Sequence, residues 1–475
     1  MPERMHQSEL CVLVLSSILA LSGCGAKLAQ RAPILQTNRT VAVNAGLERA
    51  ASPSLPEDRG STKIPVHEAS TTDELETRDR RVVLAFTHQR PNGNRLASGR
   101  GAVPWVPFID IPLAASPRWV VAAPDGQSSI WVVLLEDGTV QAFRLTDRQP
   151  EQIEIAPKNL PAGMPPLLLV KDGDPVLVTV PSASASPLTH PTVLFRSGRL
   201  AFVATNGDLV LCDGGDCARL ALNAPADGRL LVDERDRLLV LSHATGRYGH
   251  GVLGDDIEAA GVSLVETMPE LRLAHTILIP EPRVIEGTSA IWTDITGDGE
   301  REIIVTISGE EDGAQVAVYS ENGQRLAAGP AIGRGFRWRH QLAVAPFGPS
   351  GEMELAVVRT PHIGGVVDFY RLMGERLEIV AQISAFTSHV LGSRNLDMAA
   401  AGDFDGDGRV DLLLPDQART HLARICRTAE GAGVAWAVPV GGMVSTNVST
   451  VSLDRGRLAV GVGRTGDSAL RLWIP

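Results

Sequence analysis

The chain has 475 residues, of which 44 % are hydrophobic and 21 % charged, and a formal net charge of −11. That acidic balance argues against a nucleic-acid partner, since little here would release counterions from a phosphate backbone, and it suits a protein that collects divalent cations. Forty-seven glycines and 31 prolines favour many short strands joined by turns over long helices.

In chain order, the first element is the apolar run from Cys11 to Leu21, too short to span a bilayer, which takes about 20 residues. It leads into Leu21-Ser-Gly-Cys24, which resembles a bacterial lipobox. The resemblance implies a signal peptide over 1–23, export, lipidation of Cys24, and a place in the cell envelope with the lipid as the sole membrane attachment. Gly25 after the cysteine resembles the pattern sorted to an outer membrane. From 24 to 80 the chain is rich in Arg, Ser, Thr, Glu and Pro without periodicity. Such a segment cannot bury enough surface to offset its ordering entropy, so it reads as a disordered tether with a reach of roughly 40 Å.

From about residue 81 the pattern changes to strands and turns. Trp131 to Leu145 alternates on both sides of Glu136-Asp-Gly138, and Ala201 to Leu211 does so around Asn206-Gly207, so both read as hairpins. Taking the last strand of each unit to begin at Val140, Leu209, Gly261, Val316, Val366, His421 and Leu470, the steps are 69, 52, 55, 50, 55 and 49 residues. Six near-regular steps make seven units, with six or eight as neighbouring counts and a pair of β-sandwiches as the structural rival. The long first step suggests an insertion around Pro181 to Pro187. Cys212 and Cys217 flank a four-residue turn and would face each other in a hairpin, which predicts a disulfide in an oxidising compartment. Cys426 reads as a buried small hydrophobe.

The segment Ala401 to Leu414 is the most specific. It places carboxylates at Asp403, Asp405, Asp407 and Asp411, positions 1, 3, 5 and 9 of one loop, with the carbonyl of Arg409 as a further oxygen and Gly408 to allow the bend. Ca²⁺ wants six to eight oxygens in a flexible shell. An EF-hand would need Glu at position 12, which is Leu414. The frame recurs with Asp294, Thr296, Asp298, Glu300 (through its carbonyl) and Glu302, where the neutral Thr296 predicts weaker binding. It recurs once more over 346–354, where only Glu354 is acidic among the side-chain positions and a metal-free turn is expected. Glu302, Glu354 and Asp411 are spaced by 52 and 57 residues. These loops with their apolar flanks resemble the FG-GAP or VCBS repeat of integrin-α-type propellers, most specifically over 285–475. The resemblance implies an all-β fold, a seven-bladed β-propeller over 81–475, structural calcium, and a binding or assembly scaffold whose ligand is a protein or a glycan.

Signals for chemistry are sparser. Gly461-Val-Gly-Arg-Thr-Gly466 matches a dinucleotide fingerprint, but a strand rather than a helix follows, so no nucleotide is expected. Loops near His362 and His389, with Arg394 and Asp397, would gather two imidazoles, an anion binder and a carboxylate. A His389–Asp397 pair would act as base and orienter in a hydrolase, against the alternative that these groups bond one another to close loops. Arg337-Trp338-Arg339-His340 reads either as a stacking platform or as ordinary blade residues with the indole N–H satisfied. A lectin would need aromatic pockets repeated once per blade, and only 4 % of residues are aromatic.

Overall fold

The computed structural model describes residues 75–77 and 80–475, with side chains from Val82 onward. The signal peptide, Cys24 and nearly all of the expected tether lie outside the described residues, while strand pairing already begins at Leu75, slightly before the expected boundary at 81. No helix of the described residues is long and apolar enough to cross a membrane.

The described residues form eight four-stranded antiparallel sheets. The first comprises Pro117–Asp125, Ser128–Leu135, Val140–Thr146 and Gln149–Ile153. The second joins Leu75–Thr77 and Arg80–Ala85 to Leu168–Lys171 and Asp174–Leu177. Contiguous chain makes the third to seventh sheets, over 192–221, 231–278, 291–328, 339–384 and 400–439. The eighth takes Met443–Leu453, Arg457–Thr465 and Ala469–Trp473, and borrows Phe108–Pro112 as its fourth strand. Two short strands, Leu96–Arg100 and Val284–Ile285, bridge neighbouring sheets.

Each sheet buries both faces against its neighbours, which is why its inner strands are nearly continuous apolar runs such as Ile130 to Leu135 and Ile303 to Ile307. Trp131, Val133 and Phe143 of the first sheet pack on Leu470 and Leu472 of the eighth, while Trp119 and Val132 pack the other way, on Val83 and Leu168 of the second. The third sheet lies between the second and fourth. Successive clusters join fourth to fifth, fifth to sixth, sixth to seventh and seventh to eighth. The packing therefore closes on itself, and the fold is a β-propeller.

This count is one more than the seven expected. The strands beginning near Val140, Leu209, Gly261, Val316, Val366, His421 and Leu470 are the third of their sheets, not the last. The long first step, read as an insertion, instead contains half of the second sheet, whose other half lies before residue 86 and breaks the periodicity.

Where the sheets converge, the filling is polar. Asp397 accepts hydrogen bonds from Arg95 Nε (2.9 Å), Arg229 Nη1 and Nη2 (3.1 and 2.8 Å) and Thr87 Oγ1 (3.1 Å). Arg95 also donates to the carbonyls of Gln341 and Leu342, and Asn447 spans the carbonyls of Thr87 and Val120. All of these side chains are buried. The group ties six of the eight sheets or their entry segments to one carboxylate.

Candidate metal centre

The loop after Ala400–Asp403 folds by using its own first carboxylate as a template. Asp403 Oδ1 accepts from the N–H of Gly406 (2.7 Å) and Oδ2 from that of Gly408 (2.9 Å), while Asp407 Oδ1 accepts from Arg409 N (2.9 Å). Gly406 and Gly408 sit at φ +82° and +85°, a region side chains with a Cβ rarely adopt. Gly101 N and Val103 N donate to the carbonyls of Asp403 and Phe404, bracing the loop from behind. A Cβ at position 101 would lie 2.4 Å from Phe404 O, so only glycine permits that approach.

The side chains of Asp403, Asp405 and Asp407 bring carboxylate oxygens within 4.8 Å of one another, the only such set among the described residues. A residue that spacing did not reveal, Arg424 on the third strand of the same sheet, reaches into them. Its Nε donates to Asp411 Oδ2 (2.6 Å), and its Nη1 and Nη2 contact Asp405 and Asp407. Trp436 Nε1 adds a bond to Asp405 Oδ2 (2.9 Å). Burial pushes the Asp411 carboxyl above its ordinary range, against the pull of Arg424. Asp407 is also pushed up by burial, but hydrogen bonds from Arg424 and Arg409 N outweigh this and hold it below.

One guanidinium does not satisfy four carboxylates. Asp405 Oδ1 and Asp411 Oδ1 are buried without any hydrogen-bond partner. Buried, unpartnered carboxylate oxygens are costly, and a hard divalent cation is a group that would complete them, so the residues fit calcium. Asp403, Asp405, Asp407, Asp411 and the Arg409 carbonyl would hold it.

The loop at 294–302 repeats the same backbone template. Asp294 accepts from Gly297 N (2.6 Å) and Gly299 N (2.9 Å), Asp298 accepts from Glu300 N (2.9 Å), and the two glycines lie at φ +82° and +89°. Thr296 Oγ1 turns back to Asp294 Oδ1 at 3.3 Å. Glu302 Oε2 accepts from Ile295 N (3.0 Å), and burial pushes its carboxyl up. The loop's own Arg301 turns away to Trp292 O and Glu234, and among the described residues these carboxylates do not gather as those at 403–407 do. At 346–354 the closing Glu354 is fully buried and neutralised by Arg371 (2.6 Å) and Arg427 (2.9 Å).

The histidine loops do converge, but not as a base–orienter pair. His389 Nδ1 lies 2.7 Å from His362 Nε2, and His389 Nε2 lies 2.6 Å from the carbonyl of Ser393. Asp397 is committed to Arg95, Arg229 and Thr87, and Arg394 to Asp227 and Asp255. The His389–Asp397 dyad that a hydrolase would need is therefore absent, because Asp397 points into the polar centre rather than toward the loop. Trp338 is buried against His340 with ring centroids 4.7 Å apart, and its Nε1 has no partner, contrary to the satisfied indole expected. Cys212 and Cys217 are bonded across paired positions of the third sheet's outer hairpin. Cys426 is only half-buried, with Sγ 3.5 Å from Gly433 O.

Fold and loops together define a β-propeller carrying acidic turns of a repeated design. No protein-family model matches the chain, and no curated protein matches it. Among solved structures it is similar to a chain in a crystal structure of the mitotic checkpoint complex, at 10 % identity and a TM-score of 0.42, covering 77 % of this chain and 93 % of that one. It is also similar to a chain in a crystal structure of BBS1N in complex with ARL6DN, at 11 % identity and a TM-score of 0.37, covering 79 % and 98 %.

Proposed function

We propose that this chain is an exported, lipid-anchored propeller of FG-GAP/VCBS type that acts as a binding and assembly scaffold, with structural calcium at 403–411 and a weaker site at 294–302. The observation that carries the calcium reading is the pair of buried, unpartnered oxygens on Asp405 and Asp411. The shared template of the two loops supports it. Calcium's part is mechanical: binding the folded loop and not the unfolded chain stabilises the ring by mass action. The ligand of the scaffold is a protein or a glycan. The large exposed aromatics among the described residues, Trp105, Phe108 and Phe336, do not repeat once per sheet, which favours the protein.

Arg424 makes the calcium reading testable in two directions, since guanidinium and ion compete for the same carboxylates. Removing calcium with a chelator is expected to lower the melting temperature, and Asp405→Ala to abolish most of that response. Arg424→Gln should lower the melting temperature without calcium, because Asp405, Asp407 and Asp411 then repel one another uncompensated. It should also enlarge the gain on adding calcium. Identical melting curves with calcium and with chelator, in both the natural chain and Arg424→Gln, would remove the ion from the account.

The anchor has its own test. Cys24→Ser should move the protein from the membrane fraction to the soluble one, and continued membrane association of that variant would refute lipid attachment at Cys24.

A further inference from the structure

Ile363 is the most exposed large apolar side chain among the described residues (80 %), and it lies at the same end of the ring as Leu391 (66 %) and Phe336 (46 %). The loops that carry the three meet at Trp338. That indole touches the rings of His362 and His389, with centroids 6.3 and 5.1 Å away, and packs with Val252, Leu253 and Leu396. Ile363 follows His362, while Phe336 and Leu391 lie two residues from Trp338 and His389, at most about 7 Å of chain. The loops are also bonded to one another, by Thr360 N to Trp338 O (2.9 Å) and Gly392 N to Val252 O (2.8 Å). One partner face of ordinary size, about 800 Å², covers all three side chains.

The backbone holds these side chains out. Ile363 N donates to Thr360 O (2.9 Å), with Thr360 at φ +47° and Gly364 at +65°. Ser393 N donates to Val390 O (2.9 Å), which puts Leu391 at the tip of a turn with Gly392 at φ +78°. Such tips ordinarily carry Gly, Asn, Asp or Ser. An isoleucine and a leucine fixed there gain nothing from folding, and their bonded turns have little freedom to lose on docking. Phe336 is braced by Tyr248 and His250, with ring centroids 5.1 and 5.3 Å away.

The surrounding charge selects the partner. Gly335 N and Gly333 N donate to the carbonyls of Glu310 and Asp312 (both 2.8 Å), which sets these two exposed residues beside the Phe336 loop. Asp256 is exposed in the loop of Val252. The carboxylates of Asp256, Glu310 and Asp312 make no ion pair or hydrogen bond with a described residue. Of the arginines in these loops, Arg334 is paired with Glu311, Arg394 with Asp227 and Asp255, and Arg247 with Glu281. Only Arg337 lacks a carboxylate among the described residues, so the rim is acidic. A second copy of this chain would bring the same rim and a net charge of −11, and an anionic bilayer would be repelled likewise.

We propose that the loops of Phe336, Ile363 and Leu391 form the docking face of the scaffold, and that its partner is a protein segment whose apolar side chains are bordered by Lys or Arg. The inference rests on the scaffold reading above and adds to it the surface and the chemistry of the ligand.

The experiment pans random dodecapeptides displayed on phage against the full chain with calcium, and measures the enriched peptides by fluorescence anisotropy. Peptides that combine apolar residues with Lys or Arg are expected. Ile363→Ser/Leu391→Ser should weaken their binding tenfold or more, and so should Glu310→Lys/Asp312→Lys. Both variants should keep the melting temperature, because all four side chains are exposed. Met373→Ser, an exposed apolar position on the sixth sheet, should change nothing. Enriched peptides that are acidic, or that bind Ile363→Ser/Leu391→Ser equally well, overturn the docking face and leave the scaffold standing. Failure to enrich any peptide overturns both. Binding of the Cys24→Ser chain to phosphatidylglycerol vesicles, lost on adding Ile363→Ser/Leu391→Ser, would make this a membrane surface and likewise overturn the proposal.

Discussion

Asp397→Asn is expected to lower the urea midpoint of unfolding more than any other single substitution in the polar centre. Asp397 is almost fully buried, and it compensates two buried guanidiniums, those of Arg95 and Arg229. Those two positive neighbours hold its carboxyl far below the ordinary range, although burial alone would push it up. Removing one partner of a buried ionic group costs about 3–5 kcal/mol, because the remaining charge stays desolvated. Here two charges lose their partner together, so the effect belongs at the upper end of that range. A domain stable by roughly 5–15 kcal/mol would lose a large part of its margin. Thr87→Val removes only a neutral donor to the same carboxylate and should cost about 1 kcal/mol. If Asp397→Asn unfolds at the same urea concentration as Thr87→Val, the carboxylate is not what holds the sheets at their meeting point.

Acid should unfold the ring at a mildly low pH, and the histidines rather than the carboxylates should set where. Burial holds His190 and His389 at a pKa of about 3 and His362 at about 4, and keeps His88 and His340 well below the usual value. In the unfolded chain a histidine titrates near 6.5. Between about pH 6.5 and those depressed values the unfolded state therefore binds more protons than the folded one. Stability is fully present above about 6.5 and falls as the pH drops, by up to about 1.4 kcal/mol per pH unit for each such histidine. Asp397 has the same sign of dependence in a lower window: its contribution is complete above about pH 3.9 and fades only below it. The melting temperature should thus fall steeply between about pH 6.5 and 4. His389→Gln, whose amide can still donate to the Ser393 carbonyl, should make that slope shallower. A melting temperature that stays level from neutral pH down to about 4.5 would contradict the assignment of these imidazoles as buried and neutral.

The sequence carried what is local and repeated. The glycine at each sharp turn and the carboxylate template at 294–302 and 403–411 were legible because all their partners lie within nine residues. So were the hairpins around Gly138 and Gly207. The second sheet escaped because its strands come from before residue 86 and after residue 167, so no spacing along the chain marks it. Arg424 was hidden for a milder version of the same reason, reaching the acidic loop from the next strand but one. Asp397 was noticed but given the wrong neighbours. Its partners Arg95 and Thr87 are 302 and 310 residues away, and only the closed ring puts them together.

The borrowed strand Phe108–Pro112 imposes an order of events during synthesis. It is synthesised well before its partner Ala469–Trp473. Asp110 must wait for Arg471, 361 residues later, a delay of roughly 20–70 s at ordinary elongation rates. Until then an unsatisfied edge hangs from a half-built circle, inviting capture by other chains. A nascent chain of this design has reason to travel with a chaperone, and losing Ala469–Trp473 would leave Phe108–Pro112, made long before it, without a place to dock.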